Sequence, residues 1–251
     1  MRARRALPAG RLDARNVTVI TQRSTKSSPA LHGFAVNMNG ALDTLLSHPR
    51  IWRARSAANV KEAPGLASGY PELDRHLPGG GWPREALTEI LIEDHGKGEL
   101  QLLMPALARL SRGGVDSVAD EGWIVWIAPP FQPYPPALTQ WGVDLSRLLI
   151  VRPHRNTDIP WAAEQALASG NCTAVLLWPG KLFSSRRLQL AAEEGRSWAI
   201  AFRAAKARSE LSAAALRLEL VKGERGTDVV ILKSRGGRTL RVRNLIHDHA
   251  G

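Results

Sequence analysis

The sequence predicts an α/β fold in which a mostly parallel sheet is flanked by helices and ends in antiparallel edge strands. Apolar runs of strand length, such as Leu87–Ile92 and Trp123–Ala128, show little polar alternation, which is typical of strands buried on both faces. These runs alternate with amphipathic stretches of helix length, which favours parallel strands joined by helical crossovers. The last three strand-like segments alternate polar and apolar residues, which predicts an antiparallel edge.

Composition limits the classes of protein that fit. The chain has 251 residues, of which 44% are hydrophobic and 23% charged, as in an ordinary globular α/β domain. No apolar run reaches the roughly 18 residues of a membrane helix, so we expect no membrane partner. The single cysteine, Cys172, lies in an apolar run, and we expect a buried thiol in a reducing, cytoplasmic environment.

The first 68 residues are predicted to precede the core. The net charge is +11, and residues 1–37 contain seven basic residues against one aspartate, in a composition that predicts a disordered basic tail. We predict that Met38 is the true start; the alternative is a real basic arm that contacts DNA. Residues 38–68 are predicted to form a helix, Ala41–Ser47, and a linker, Ser56–Ser68. Between them, Trp52 and Arg53 are candidate contacts with nucleic acid or a partner protein.

The segment 69–110 opens the predicted core, residues 69–246, with the layout of a phosphate-binding loop. A helical turn, Pro71–Leu77, leads through Gly79-Gly80-Gly81 to the strand Leu87–Ile92 and then to a helix that we expect to begin near Glu99. A functional loop of this kind reads G-x-x-x-x-G-K-[ST]. The version here is degenerate and consists of Gly96, Lys97, Gly98 and Glu99. Because Glu99 stands where the lysine is needed, we predict that the loop binds no nucleotide and that the protein uses no cofactor.

Two resemblances follow from these residues. The lead-in to the first strand resembles that of RecA-like recombinases, through Leu73-Asp74, Leu77, Gly79-Gly80-Gly81, Pro83 and Leu87-Thr88-Glu89-Ile90. Longer phrases resemble the ImuA-type accessory proteins of bacterial mutagenesis, which are often grouped with SulA-like cell-division inhibitors. These phrases are Pro78–Leu91, Gly98–Leu110, Trp123–Leu138, Gly142–Pro153, Trp161–Gly180 and Arg186–Gly195. The resemblance extends from about Asn39 to the C-terminus.

The ImuA-type resemblance implies a function and a set of partners. It implies a non-catalytic RecA-like adaptor in SOS-induced translesion DNA synthesis. The implied partners are the Y-family-like polymerase homologue ImuB and an error-prone DnaE-like polymerase, with RecA and DNA as further candidates. The first alternative is a SulA-like cell-division inhibitor, and the second is an atypical RecA-like ATPase.

The RecA-like resemblance also predicts that catalysis has been lost at two positions beyond Glu99. In RecA-like ATPases the strand that corresponds to Trp123–Ala128 ends near a glutamate that activates water, and here Pro130 lies near that point. The strand that corresponds to Thr173–Trp178 ends in an aspartate that orients Mg²⁺, and here Trp178 takes its place. We therefore predict that the protein is not an enzyme.

The rest of the core is predicted from periodicity. Predicted helices are Pro136–Trp141, Asp158–Ser169 and Ser185–Glu194, and predicted strands are Leu148–Val151, Trp198–Phe202, Leu216–Val221, Asp228–Lys233 and Arg238–Arg243. We expect most of the eight tryptophans, Trp161 included, to pack in the core. Trp52 and Trp82 are the exceptions, because their polar or turn contexts would suit base stacking. No histidine shows the spacing of a metal site, and residues 247–251 are predicted to be a tail.

The best candidate contact surface in the sequence is basic and C-terminal. Its members are Lys233, Arg235, Arg238, Arg241 and Arg243. The basic turn 233–238 could approach a phosphate chain, with its arginines supplying counterion release. The alternatives are a partner protein and a solvated hairpin edge whose charges prevent aggregation.

Overall fold

The computed structural model describes residues 64–113, 122–180, 182–235 and 237–247. The predicted tail 1–37, the proposed start at Met38, the helix Ala41–Ser47 and the candidates Trp52 and Arg53 lie outside the described residues. The domain boundary predicted at residue 37 lies there too, and it stays a prediction, as does the boundary at residue 68.

An eight-stranded sheet organises the described residues. Its strands are β1 (Leu87–Ile92), β2 (Trp123–Ile127), β3 (Leu148–Val151), β4 (Cys172–Leu177), β5 (Trp198–Ala204), β6 (Leu216–Lys222), β7 (Gly226–Lys233) and β8 (Leu240–His247). The order across the sheet is β3-β2-β4-β5-β1-β6-β7-β8. The first six strands in that order pair in parallel, and β7 and β8 add as an antiparallel edge. The predicted mostly parallel sheet with an antiparallel C-terminal edge is confirmed.

Helices cover the parallel strands on both faces. They are α1 (Pro71–Asp74), α2 (Met104–Ser111), α3 (Pro135–Gln140), α4 (Ile159–Ala168) and α5 (Ser185–Glu194). Buried residues of α1, α2 and α3 pack with one face of the sheet. Buried residues of α4 and α5 pack with the other face. The central strand β1 is buried along its whole length, which explains its mostly apolar sequence, and the two polar residues in it, Thr88 and Glu89, are buried as well.

Helix α2 begins five residues later than the sequence predicted. The prediction placed its start near Glu99, but residues 99–103 form turns and regular helix begins at Met104. Pro105 lies in the first helical turn, where its missing N–H costs little. The early start is wrong because the Glu99 side chain turns back towards the preceding loop, a contact that periodicity does not reveal.

The glycine turn before β1 is a close backbone crossing. Leu66 and Trp82 exchange two backbone hydrogen bonds of 2.9 and 2.7 Å, so the described end of the predicted linker is paired with this turn. A Cβ atom on Gly81 would lie 2.3 Å from the Leu66 carbonyl oxygen, which only glycine avoids. Trp82 is fully buried and stacks on Trp198, with ring centroids 5.4 Å apart. The suggestion that Trp82 could stack on a base is therefore wrong.

A buried ion network holds the segment after β5 onto the sheet. The Glu89 carboxylate, in the middle of β1, is fully buried and accepts hydrogen bonds from Arg217 Nε at 2.9 Å and from Ser212 Oγ. The other guanidinium nitrogens of Arg217 donate to the carbonyls of Ala207 and Glu210, at 2.9 and 3.1 Å. One buried carboxylate thus connects the central strand with β6 and with the connection between β5 and β6.

Candidate functional site

Three features meet at the carboxyl edge of the parallel strands. In open α/β sheets this edge is where ligands bind, in the crevice beyond the strand ends. The features here are the loop after β1, an aromatic cluster beside β4 and a proline-rich loop after β2. Together they fill or cover the edge, and they form the candidate site.

The loop after β1 binds a carboxylate of its own chain. Glu99 is only 4% exposed, although residues 93–97 before it are exposed. Its Oε1 accepts a hydrogen bond from the Gly96 amide at 2.7 Å, and its Oε2 accepts one from the Lys97 amide at 2.8 Å. The structure thus brings together the four residues of the degenerate loop. The backbone donors that a phosphate-binding loop would offer to a ligand already have an acceptor.

The aromatic cluster fills the space beside the end of β4. Trp178 follows β4, is buried and stacks on Phe202 of β5 with ring centroids 4.7 Å apart and planes 19° apart. Trp126 of β2 lies 5.7 Å from Trp178. Indole and phenyl rings therefore stand where the sequence comparison expected a metal-orienting carboxylate. Among the described residues, no group of three metal-binding side chains lies close enough to hold an ion.

The proline-rich loop after β2 presents two aromatic side chains to solvent. Phe131 is 67% exposed and Tyr134 is 69% exposed. Arg152 fixes the loop by donating to the carbonyls of Pro129 and Phe131, at 3.2 and 3.3 Å, and to the side chain of Gln132, at 3.1 Å. Large apolar rings exposed to water on a loop that hydrogen bonds attach to the fold are typical of an interaction surface.

Sequence analysis missed Phe131 and Tyr134 as functional candidates. A signal was present, because the two aromatic residues are interleaved with Pro129, Pro130, Pro133, Pro135 and Pro136 directly after a buried strand. Trp123 and Trp141 are also exposed, at 44% and 39%, and the most exposed tryptophan of the described residues is Trp161 on α4, at 64%. Its expected packing in the core is wrong, because it lies on the helix face opposite the buried residues Ile159, Ala163 and Leu167.

The basic C-terminal candidates separate into three environments. Lys233 donates to the Ser212 carbonyl at 2.8 Å, and burial lowers the pKa of its ammonium group below the ordinary value. Arg235 lies 3.7 Å from Glu193 of α5, and Arg241 forms a 2.7 Å ion pair with Asp228. Arg238 and Arg243 are exposed and form no ion pair within the described part of the chain. A role for these five residues in contacting a partner stays a prediction.

Asp228 organises the edge hairpin electrostatically. It is 3% exposed, and its carboxylate accepts hydrogen bonds from the Asn244 amide at 2.6 Å and from Arg241 Nε at 2.7 Å. The Asn244 amide and the Arg241 guanidinium hold the pKa of Asp228 below its usual range, although burial opposes them. Asn244 has a positive φ of 49°, a left-handed conformation that asparagine adopts more readily than most residues.

Asp228→Asn is expected to lower stability at neutral pH by about 1 kcal/mol and to reduce its dependence on acid pH. A carboxyl with a lowered folded pKa stabilises the fold above its unfolded pKa of about 3.9, and this stabilisation disappears as the pH falls through the folded value. Urea unfolding from pH 3 to 7 measures both effects. The control is Glu224→Gln, which removes an exposed carboxylate near the same hairpin, and equal pH profiles for the two variants would contradict the assignment.

Two proteins to which the chain is similar in sequence are named cell-division inhibitors. The chain is similar to the cell division inhibitor SulA of Serratia proteamaculans, 29% identical over 119 residues, which are 47% of this chain and 67% of that protein. It is also similar to the cell division inhibitor SulA of Edwardsiella piscicida, 34% identical over 101 residues, which are 39% of this chain and 56% of that protein. A crystal structure of SulA from Pseudomonas aeruginosa matches with a TM-score of 0.38 and 25% identity, covering 47% of this chain and 97% of that one. No family model matches the chain.

These matches correct the sequence-based identification. Membership of the ImuA-type family, the role of a translesion adaptor and the partners ImuB, the DnaE-like polymerase, RecA and DNA are wrong, because the matched relatives are named cell-division inhibitors. The first alternative from the sequence fits the matches better. Separately, no helix in the described part of the chain combines the length and the apolar character that a membrane crossing requires.

Proposed function

We propose that this protein is a SulA-like cell-division inhibitor that acts by binding a protein of the division machinery. The observation that carries the proposal is the similarity to two proteins named cell division inhibitor SulA. The matched segments cover 67% and 56% of those relatives, so their activity is transferred here as a proposal. A response to DNA damage, which the sequence suggested through the SOS system, is part of the proposal.

The carboxyl edge of the sheet supports inhibition by binding. An inhibitor of this kind needs a surface that recognises a partner and no reaction centre. The edge offers Phe131 and Tyr134 on the proline-rich loop, while Glu99 and Trp178 occupy the interior where a ligand would otherwise enter. We assign partner recognition to the proline-rich loop at this edge. We propose that the partner surface is apolar and accommodates the rings of Phe131 and Tyr134.

Controlled expression in bacterial cells tests the proposed function. Induced cells are expected to grow into filaments in which division rings do not constrict, while DNA replication and cell mass increase continue. Deletion of the gene is expected to shorten cells that have been exposed to DNA damage, with damage-induced mutation frequency unchanged. Normal cell length on induction, or a loss of induced mutations without any change in cell length, would overturn the proposal.

We also propose that the protein is not an ATPase. The support is the occupied loop after β1 together with Pro130 and Trp178 at the two further positions that the sequence comparison connected with catalysis. Purified protein is expected to bind no ATP at millimolar concentration.

Glu99→Lys is expected to show no ATP turnover, although it restores the lysine of the loop motif, because Pro130 and Trp178 remain. Phosphate release measured with Mg²⁺ and ATP checks this, with a contaminant control prepared from cells lacking the protein. Turnover above that control would show that the assignment of Pro130 and Trp178 is incorrect.

We further propose that the α/β fold is of the RecA-like class. The supporting features are the position of β1 between β5 and β6 and the loop and helix that follow its carboxyl end. The proposal concerns the fold and carries no activity with it.

A further inference from the structure

We infer that the loop after β1 is an oxyanion-binding site that the Glu99 carboxylate of the same chain keeps occupied. The two carboxylate oxygens each accept one backbone amide, from Gly96 at 2.7 Å and from Lys97 at 2.8 Å. Two adjacent amides that point at one anion form the concave donor arrangement with which proteins bind phosphate and sulfate. The ligand class of this site is thus a small oxyanion, and in the native protein the ligand is internal.

Burial shows that Glu99 is part of the structure of the loop. Glu99 is 4% exposed, whereas the neighbouring acidic residues Glu93 and Asp94 are exposed. A buried carboxylate is tolerated when hydrogen-bond donors satisfy it, and here the donors are backbone groups with no other role. Glu99 therefore stabilises the loop by the same interaction that excludes an external anion.

The donor geometry does not depend on Glu99 alone. The carbonyl of Lys97 accepts a hydrogen bond of 3.1 Å from Thr227 Oγ1 on β7, and Gly98 packs closely against Ile246 on β8. Gly96 and Gly98 have φ values of 82° and 95°, which fix the turn in a conformation suited to glycine. The antiparallel strands thus hold the loop from outside, so we expect the two amides to keep their orientation when the Glu99 side chain is removed.

Removal of the internal ligand should therefore create a site for an external one. In Glu99→Ala the amides of Gly96 and Lys97 lose their acceptor and become available to phosphate or sulfate. Glu93 and Asp94 repel an anion from the same loop, so the affinity is expected to be in the millimolar range. Native protein should bind no phosphate or sulfate at this loop, because its site is occupied.

The test is the thermal unfolding midpoint of three proteins in inorganic phosphate, sulfate or chloride at constant ionic strength. The proteins are native protein, Glu99→Ala and, as a matched control, Glu93→Ala, which removes an exposed carboxylate from the same loop. Sulfate and phosphate stabilise many proteins nonspecifically, so the quantity of interest is the midpoint increase beyond that of native protein.

Glu99→Ala is expected to have a lowered midpoint in chloride and to regain part of it as phosphate concentration rises, whereas Glu93→Ala behaves like native protein. Equal responses of all three proteins to phosphate would overturn the inference, and so would a Glu99→Ala variant that is destabilised but unresponsive.

Hydrogen exchange of the native protein provides a measurement that does not require a folded variant. The amides of Gly96 and Lys97 are expected to exchange at least about ten times more slowly than the amide of His95. The amide of His95 has no acceptor among the described residues. Equally fast exchange at all three positions would show that Glu99 does not occupy the site. Because cell length is not involved, this inference stands or falls separately from the proposed function.

Discussion

Glu89→Leu is expected to destabilise the protein by about 3–5 kcal/mol, the largest effect of any single exchange considered. The substitution removes the carboxylate that pairs with Arg217, whose side chain is only 8% exposed and remains in the structure. A buried guanidinium without its counter-ion loses its electrostatic compensation and has no access to water. Unfolding of native and variant protein by guanidinium chloride measures the decrease in the free energy of unfolding.

The double variant Glu89→Leu with Arg217→Met separates the charge from the packing. Replacement of both members of a buried ion pair by apolar residues is often close to neutral, so the double variant is expected to recover most of the lost stability. Arg217 also donates to the carbonyls of Ala207 and Glu210, and Arg203 lies 3.8 Å from Glu89, so the stability that is not recovered would reflect the loss of these contacts. A double variant less stable than Glu89→Leu would contradict the assignment of the loss to an unpaired charge.

The parallel strands could be predicted from sequence because a strand that is buried on both faces consists mostly of consecutive apolar residues. The predicted ranges Leu87–Ile92 and Leu148–Val151 agree with the strands observed. Glu89 interrupts the first of these runs, yet the strand survives because Arg217, distant in sequence, neutralises it. Local pattern predicted the strand, whereas the contact that makes the pattern tolerable depends on the tertiary fold.

Most of the candidate site could not be predicted, because its properties arise from contacts between distant segments. Glu99 was recognised as the wrong residue for a functional phosphate loop, but its role as acceptor for Gly96 and Lys97 required coordinates. Trp161 was expected in the core and is exposed, and Trp82 was expected to be available for stacking and is buried. The sequence around a tryptophan does not determine whether its side chain points towards the core. The basic residues were found by charge alone, and the carboxylate partners of Arg235 and Arg241, Glu193 and Asp228, were not predicted.

The incorrect assignment to the ImuA-type family shows that a sequence resemblance can predict the fold without predicting the function. Several of the resembling phrases, such as Trp123–Leu138 and Trp161–Gly180, contain a buried strand or helix together with the loop that follows. Related α/β domains share the buried parts because packing constrains them, whereas function resides more often in exposed loop residues, and the phrase Trp123–Leu138 contains both kinds of residue, with Phe131 and Tyr134 exposed. The functional test is therefore directed at these two exposed residues.

Exchange of Phe131 and Tyr134 together for alanine is expected to abolish the inhibition of division that we propose. Both rings are more than 65% exposed, so their removal leaves the folded core unchanged, and thermal unfolding should remain within about 1 °C of native protein. An aromatic side chain at the centre of an interface often contributes about 2 kcal/mol or more to binding. One such loss weakens binding roughly thirtyfold, and two should eliminate filamentation at moderate expression.

The matched control is Trp161→Ala, which removes an aromatic ring of similar exposure that belongs to α4 and not to the proline-rich loop. Cell length after induction, with protein levels equalised by immunoblot, is the measurement. Native protein and Trp161→Ala are expected to produce filaments, whereas the double variant is expected to leave cells at normal length. If Trp161→Ala abolished filamentation and the double variant did not, the recognition surface would lie on α4 and the carboxyl edge would have no part in inhibition.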